Sequence, residues 1–505
     1  MSRVKVKSRT IENAAANCCA KKSGAILCCV LFCIHSLNDG AMDFPIYHLD
    51  FLGNRLLIAF IAILHTIINH SMAVGGIALI AFMERKGFKT ADSIWDQLAK
   101  KILFIFFIVT TTVGAMTGVG IWLSTSLVNP MAIGSLIRVF FWAWFTEWIV
   151  FVTEVCLILV YYLTWDYWGD KLKKKHVRFG FLLAIASWVT MAIIVAILGF
   201  MMDSGSWLSQ KSLLSAVLNP IYIPQLLFRT PLAMIMAGGI ALFILAFTNR
   251  KESIRNEAIQ FICRWMLAWI PFLAYGAYRY WKVIPGAMAE NLSVAITTQE
   301  YANWYQMIVL FSVWAILFLL LFALLGAFKP KMIWRPAMLV PFLILAALLG
   351  EFERVREFIR KPYAIAGYLY ANGIRKDDYP LLQRDGVLKY STFSGIHQVT
   401  GENKLRAGKE VFAIACSRCH TVDGVNGILT RLNTMYGTSP WNEDVLSSYF
   451  ENMHKIRTFM PPFPGNALER QALAGYLVSI QTTGDKLDGA QTIGISSPEN
   501  EGKNQ

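Results

Sequence analysis

Long apolar runs separated by short polar stretches dominate the chain from Gly53 to about residue 356. Eight such runs lie at approximately 55–82, 102–126, 131–163, 176–202, 222–248, 260–284, 303–328 and 332–356. Each is long enough to cross about 30 Å of hydrocarbon as a helix rising about 1.5 Å per residue. After about Leu369 the pattern turns polar, and the apolar positions that remain recur at helical spacing. Val411, Phe412 and Ala415 do so within 407–415, and a closing amphipathic helix is predicted at about 467–481. The pattern predicts an all-α chain: a polytopic transmembrane helix bundle of about eight spans, followed by a small all-α domain. No internal repeat is evident.

These shifts divide the chain into 1–41, 42–365, 366–399, 400–482 and 483–505. Residues 1–22 are basic and polar, and the apolar run at 24–36 is too short to span, so 1–41 reads as a signal peptide with a long basic region. The other reading makes Met42 the true start and the upstream stretch a gene-model extension. Residues 366–399 are expected to be an extracytoplasmic linker or platform, 400–482 a compact domain, and the tail from Gly484 disordered.

Composition supports the membrane assignment. Of 505 residues, 55% are hydrophobic and only 16% charged, below the roughly 25% of soluble domains. The net charge of +14 would suit nucleic acid if it were clustered in a soluble part, but it is not. Arg85, Lys86, Lys89, Lys100 and Lys101 occupy the first connection, and Lys171, Lys173, Lys174, Lys175 and Arg178 the third. Arg250, Lys251, Arg255 and Arg264 follow in the fifth, and Lys329, Lys331 and Arg335 in the seventh. The intervening connections offer only Lys211 clear of the helices. Basic loops stay in the cytoplasm, so both the start of the first span and the end of the eighth face outward. The basic balance is a topology signal, and nucleic acid is set aside. The cysteines form no disulfide framework: five crowd the N-terminus, Cys156 and Cys263 lie in apolar helices, and the last two stand three apart.

That last pair opens Cys416-Ser-Arg-Cys419-His420. Two thiols at this spacing can form thioethers to both vinyl groups of one haem, and the adjacent His then meets the iron. A redox dithiol or half a zinc site would read similarly, but no second cysteine pair accompanies it. Downstream, Phe459-Met460-Pro461-Pro462-Phe463 presents a thioether in a proline-stiffened loop, with Met453 and His454 as rival ligands. Together with the flanking helices this resembles a small class I cytochrome c over its full length. The resemblance implies covalent haem c on Cys416 and Cys419, with His420 and Met460 as axial iron ligands. Haem c is attached outside the cytoplasm, in agreement with the loop charges.

Ionisable residues inside membrane spans default to function. The first span holds His65 and His70, the third Glu147 and Glu154 seven apart on one face, and the outer end of the eighth Glu351, Glu353, Arg354, Arg356, Glu357 and Arg360. Ordinary readings exist: a hydrogen-bond network for the two Glu, and a solvated helix end for the last cluster. Arg55-Leu-Leu-Ile-Ala-Phe-Ile-Ala-Ile-Leu-His65, followed by Ala81-Phe-Met-Glu84, resembles the first helix of cytochrome bd oxidase subunit I. Glu357-Phe-Ile-Arg360-Lys-Pro362-Tyr363 resembles that family's Glu-x-x-Arg-x-Pro-Trp motif. Asn129-Pro-Met-Ala-Ile133 and Thr164-Trp165-Asp166 bracket the third span as in that subunit; Glu154 keeps the family spacing before Trp-Asp, and Glu147 stands one residue closer than the family's first Glu. The resemblance covers about 44–365. It implies His65 and Glu357 as ligands of haem b or haem d iron, His70 at a second haem or the same cluster, and Arg360 near a propionate. Glu147 and Glu154 would line a proton path or support a haem.

The chain also departs from that family. The low-spin b haem there uses a His followed by Thr early in the fifth helix, where this sequence has Arg229-Thr230. A charged guanidinium offers no lone pair to iron, which leaves Met307 in the seventh span without its counterpart. The long quinol-binding loop is also reduced to about 285–302. The resemblances together imply a multi-pass protein of the bacterial inner membrane with its cytochrome c domain in the periplasm. It would pass electrons between a periplasmic donor cytochrome, haem c and membrane haems, alone or with a second bd-like subunit or other complex subunits. A terminal oxidase, or the haem subunit of a respiratory complex, is the leading expectation. The alternative is a non-catalytic conduit to a quinone or partner complex. A membrane-anchored sensor would leave the buried ionisable groups without a purpose.

Overall fold

The computed structural model describes residues 47–49, 53–248, 252–297, 305–424, 427–437 and 439–483. The expected signal peptide or extension at 1–41 and the expected disordered tail from Gly484 lie outside these residues. Among the described residues, eight helices are long and apolar enough to span a membrane: α1 (Asn54–Thr90), α2 (Ser93–Val128), α3 (Phe141–Leu163), α4 (Leu172–Met202), α5 (Tyr222–Ala246), α6 (Glu252–Val283), α7 (Tyr305–Phe328) and α8 (Arg335–Ile359). The run expected at 131–163 divides, because 33 residues exceed the roughly 20 a bilayer needs. Its first ten form a separate short helix, Pro130–Val139, with Asn129 Oδ1 accepting from the Ala132 amide at 3.2 Å.

α5 is the central post. Of its most apolar stretch 78% is buried, against 6% for α3 and 11% for α7, so those two helices present apolar flanks to their surroundings. α1, α4, α6 and α8 pack round α5. The α1–α5 crossing is close because Gly75 has no side chain: a Cβ there would lie 2.0 Å from the Ala233 carbonyl oxygen. Both α1 and α2 contain a wide π-helical turn, Asn69–Val74 and Thr110–Gly114, and the two turns pack together. Such turns free backbone carbonyls and recur at functional sites.

A two-stranded hairpin, β1 (Tyr363–Ile365) with β2 (Leu369–Tyr370), leaves the end of α8. Ile365 and Leu369 join a small core with Phe140, Phe200 and Trp207 at one end of the bundle. The final domain has four helices, α9 (Lys404–Ala415), α10 (Ile428–Tyr436), α11 (Glu443–Ile456) and α12 (Ala467–Thr483). α9 and α12 cross where a Cβ on Gly408 would meet the Ala472 carbonyl at 2.0 Å, so only glycine fits. The segment read as a linker or platform is folded: Tyr370, Ile374, Tyr379, Leu382, Val387 and Leu388 belong to the same core as Val411, Phe412 and Leu477. Its apolar residues are irregularly spaced, which hid this packing from a periodicity reading.

Candidate functional site

α9 stops at Cys416, and a tight turn follows in which the amides of Cys419 and His420 both donate to the Cys416 carbonyl, at 3.0 and 2.9 Å. The turn places the Cys416 and Cys419 thiols, neither of them in a disulfide, one helical turn apart with His420 beside them. Met460 sits in a second turn closed by its amide on the Arg457 carbonyl at 2.8 Å. The rival ligands have other duties: His454 Nδ1 donates to the Met460 carbonyl at 2.6 Å, pinning that loop, and Met453 packs against the domain core. Among the described residues no cluster of three or more His, Cys, Asp or Glu forms a metal site. The chemistry of the donor set, two thiols, an imidazole and a thioether, fits a covalently held haem.

The residue inside the motif fastens the domain to the bundle. Arg418 is buried; its Nε donates to the Val128 carbonyl at the end of α2 at 3.2 Å, and its Nη1 to the carbonyls of Asn372 and Ile414. Beside it, His48 Nδ1 donates to the Ser417 carbonyl at 3.2 Å, and Asn129 Nδ2 to the Ala371 carbonyl at 3.3 Å. The Phe459 ring, next in sequence to Met460, meets Phe358, next to Glu357, at 5.6 Å between centroids. Arg55 lies over the Phe358 ring, 5.5 Å from its centroid. Burial pushes the Lys361 ammonium down to about 8, with Cys419 close enough to oppose the shift and Arg55 adding to it.

In the bundle, His65 Nδ1 donates to the Gly114 carbonyl at 3.1 Å and lies 3.2 Å from Thr117 Oγ1; Gly118 lies under the ring. That bond leaves Nε2 as the basic nitrogen, the arrangement metal-ligating histidines commonly adopt, so the residue fits a haem ligand. Glu357 is held by Arg360 through both oxygens, at 2.5 and 3.0 Å, while Arg360 also donates to the Ala364 carbonyl. α1 and α8 pack together, with Gly350 against Ile63. From that contact, Glu357 stands about 13 Å nearer the domain than His65 at about 1.5 Å per residue. His70 has a different neighbour: its Nε2 faces Arg229 Nη1 at 3.3 Å. Met307, on α7, is exposed and makes no pair with Arg229. Glu154 accepts from Ser187 at 2.6 Å and Thr190 at 3.2 Å, both on α4. Glu147 lies two turns along the same face of α3.

A further buried cluster was not legible. Glu84, His176 and Tyr161 are each 0% exposed. Glu84 accepts from His176 Nδ1 at 2.5 Å, Tyr161 Oη at 2.6 Å and Lys173 Nζ at 2.8 Å; Lys173 also pairs with Asp96, which accepts from Trp165 Nε1 at 2.9 Å. His176 Nε2 donates to the Tyr161 carbonyl at 2.9 Å. Both ring nitrogens of His176 thus face oxygens, the Glu84 carboxylate and the Tyr161 carbonyl. His176 follows a lysine run that served only as a topology signal. Glu84 had been noted, but without a partner.

Residues 403–477 match the family model described as cytochrome C oxidase, cbb3-type, subunit III. Among solved structures, the bd oxidase from Geobacillus thermodenitrificans is similar with a TM-score of 0.51 and 18% identity, covering 62% of this chain and 88% of that one. No curated protein matches. One polypeptide thus joins a bundle with the bd oxidase fold to a cytochrome c domain.

Proposed function

We propose that this protein is a terminal oxidase, or the haem-bearing subunit of a respiratory complex, in a bacterial inner membrane, fed by a periplasmic one-electron donor through its own cytochrome c domain. The observation that carries this is the docking of the Cys416–His420 turn and the Met460 loop onto the end of the bundle where α1 begins and α8 ends. Bound haems, c in the domain and b or d in the bundle, would supply the one-electron steps. Cys416 and Cys419 would hold the first covalently, with His420 and Met460 as the residues that would bind its iron. His65, oriented by Gly114, and Glu357, held by Arg360, would hold iron in the bundle. Phe358 and Phe459 bring the two sites into contact. Glu154 and Glu147 move protons along the α3–α4 face. The bare apolar flanks of α3 and α7 suit lipid and a second subunit.

The burial of Arg229 where related proteins place a haem-binding His favours a second reading: a conduit that moves electrons without reducing oxygen. A pyridine haemochrome assay with a CO-difference spectrum separates the two. A CO-reactive high-spin haem beside haem c is expected; only low-spin bands would leave the conduit, and the absence of any non-c haem would refute both.

A further inference from the structure

Two guanidiniums and one carboxylate meet inside the bundle. Arg229 on α5 is 1% exposed, and its Nη2 pairs with Glu353 Oε1 at 2.6 Å. The other oxygen of Glu353 accepts from Arg356 Nε at 2.9 Å. Two positive charges therefore share one negative charge, in a setting where isolated charge costs several kcal/mol. The neighbouring acids do not relieve the surplus, since Glu357 pairs with Arg360 and Glu351 with Arg354. Nor does His70. A guanidinium only donates, so His70 Nε2 accepts and adds no negative charge.

Donors are also left over. Arg229 Nε and Arg356 Nη1 are buried with no acceptor among the described residues. One turn from Arg229 on the same face of α5, Gln225 is 0% exposed, and neither atom of its amide has a partner. Glu353 stands one turn from Glu357 on one face of α8, which puts the surplus charge beside the candidate iron ligand. Native interiors rarely leave so many polar groups unanswered unless something else answers them.

We infer that Arg229 and Arg356, with Gln225, seat a carboxylate, and that its source is a propionate of the bundle haem; the second clause rests on the function proposed above. The position that carries an iron ligand in the bd family is thus turned here to binding charge. A cation beside the haem favours the electron-rich reduced form and raises its midpoint potential.

The test is a redox titration of the purified full chain, following the non-c haem and haem c separately. Arg356→Gln and Arg229→Gln are expected to shift the non-c midpoint down and Glu353→Gln to shift it up, with haem c unmoved. Opposite signs from two partners of one ion pair are not what loss of packing produces. In parallel, thermal stability is followed against acetate and inorganic phosphate. A saturable rise in the native chain that Arg356→Gln abolishes would keep the seat but overturn the propionate as its source. Unchanged midpoints in all three variants together with no response to either anion would overturn the seat itself. Should the native chain hold no non-c haem, the proposed function fails, and the anion titration still decides the seat. If Arg229→Gln does not accumulate, Arg356→Gln and Gln225→Leu carry the comparison.

Discussion

Single side chains carry the sharpest consequences. Glu469 in α12 is buried and accepts from the amides of Val387, Leu388 and Asn466 at 2.8, 2.9 and 3.2 Å. Glu469→Ala leaves three donors without an acceptor and is expected to cost about 2–4 kcal/mol in thermal or denaturant unfolding of the domain. Burial raises the Glu469 carboxyl pKa against the pull of those amides. The folded chain therefore holds that proton more tightly than the unfolded one. Its contribution is full below the unfolded value of about 4.3 and declines as pH rises through the folded value. Glu469→Gln should flatten this dependence in melts taken from pH 4 upward. In the bundle, Glu357→Ala is expected to remove non-c haem absorbance while leaving the haem c band; unchanged non-c content would exclude Glu357 as a ligand. The motif residues were legible because the chemistry proposed for them fixes their spacing: to take one haem, Cys416, Cys419 and His420 would have to stand together. Gln225, His176 and Lys173 were not legible, because a buried partnership between distant positions leaves no local pattern.

Helices were the most readable elements, since apolar runs of membrane length have few alternative folds. The divided run at 131–163 and the folded 370–390 segment escaped, because a bend at Phe140 and an irregular packing segment are settled by tertiary contacts. So were the π-helical turns of α1 and α2, which change hydrogen bonding without changing composition. Close crossings depend on single positions. Gly408→Val places a side chain against the Ala472 carbonyl, and the α9–α12 pair should lose about 3 kcal/mol or more, or fail to form, as read by circular dichroism and protease resistance. The basic loops predict that the domain lies outside the cytoplasm: a reporter fused after residue 483 and active only in the cytoplasm should stay silent, and a bright one would invert the topology.

At the scale of the whole molecule, Arg418 joins the domain to the bundle, with His48, Asn129 and the Phe358–Phe459 pair beside it. Arg418→Ala removes the donor shared by the carbonyls of Val128, Asn372 and Ile414, at about 2–4 kcal/mol. It should free the domain, seen as faster proteolysis in 391–402 and slower reduction of the bundle haem by haem c after rapid mixing with reductant; unchanged rates would mean that the docked state is not the conducting one. The same fastening has a consequence for biogenesis. Arg418 lies between the two cysteines proposed to take the haem, so its bond to the Val128 carbonyl closes that turn against the bundle. Thioether formation at those cysteines would need the turn open, so haem ligation, if it occurs as proposed, would have to precede docking. A chain that docked early would be a dead-end product, and the side chain that completes the mature protein also sets the deadline for its cofactor.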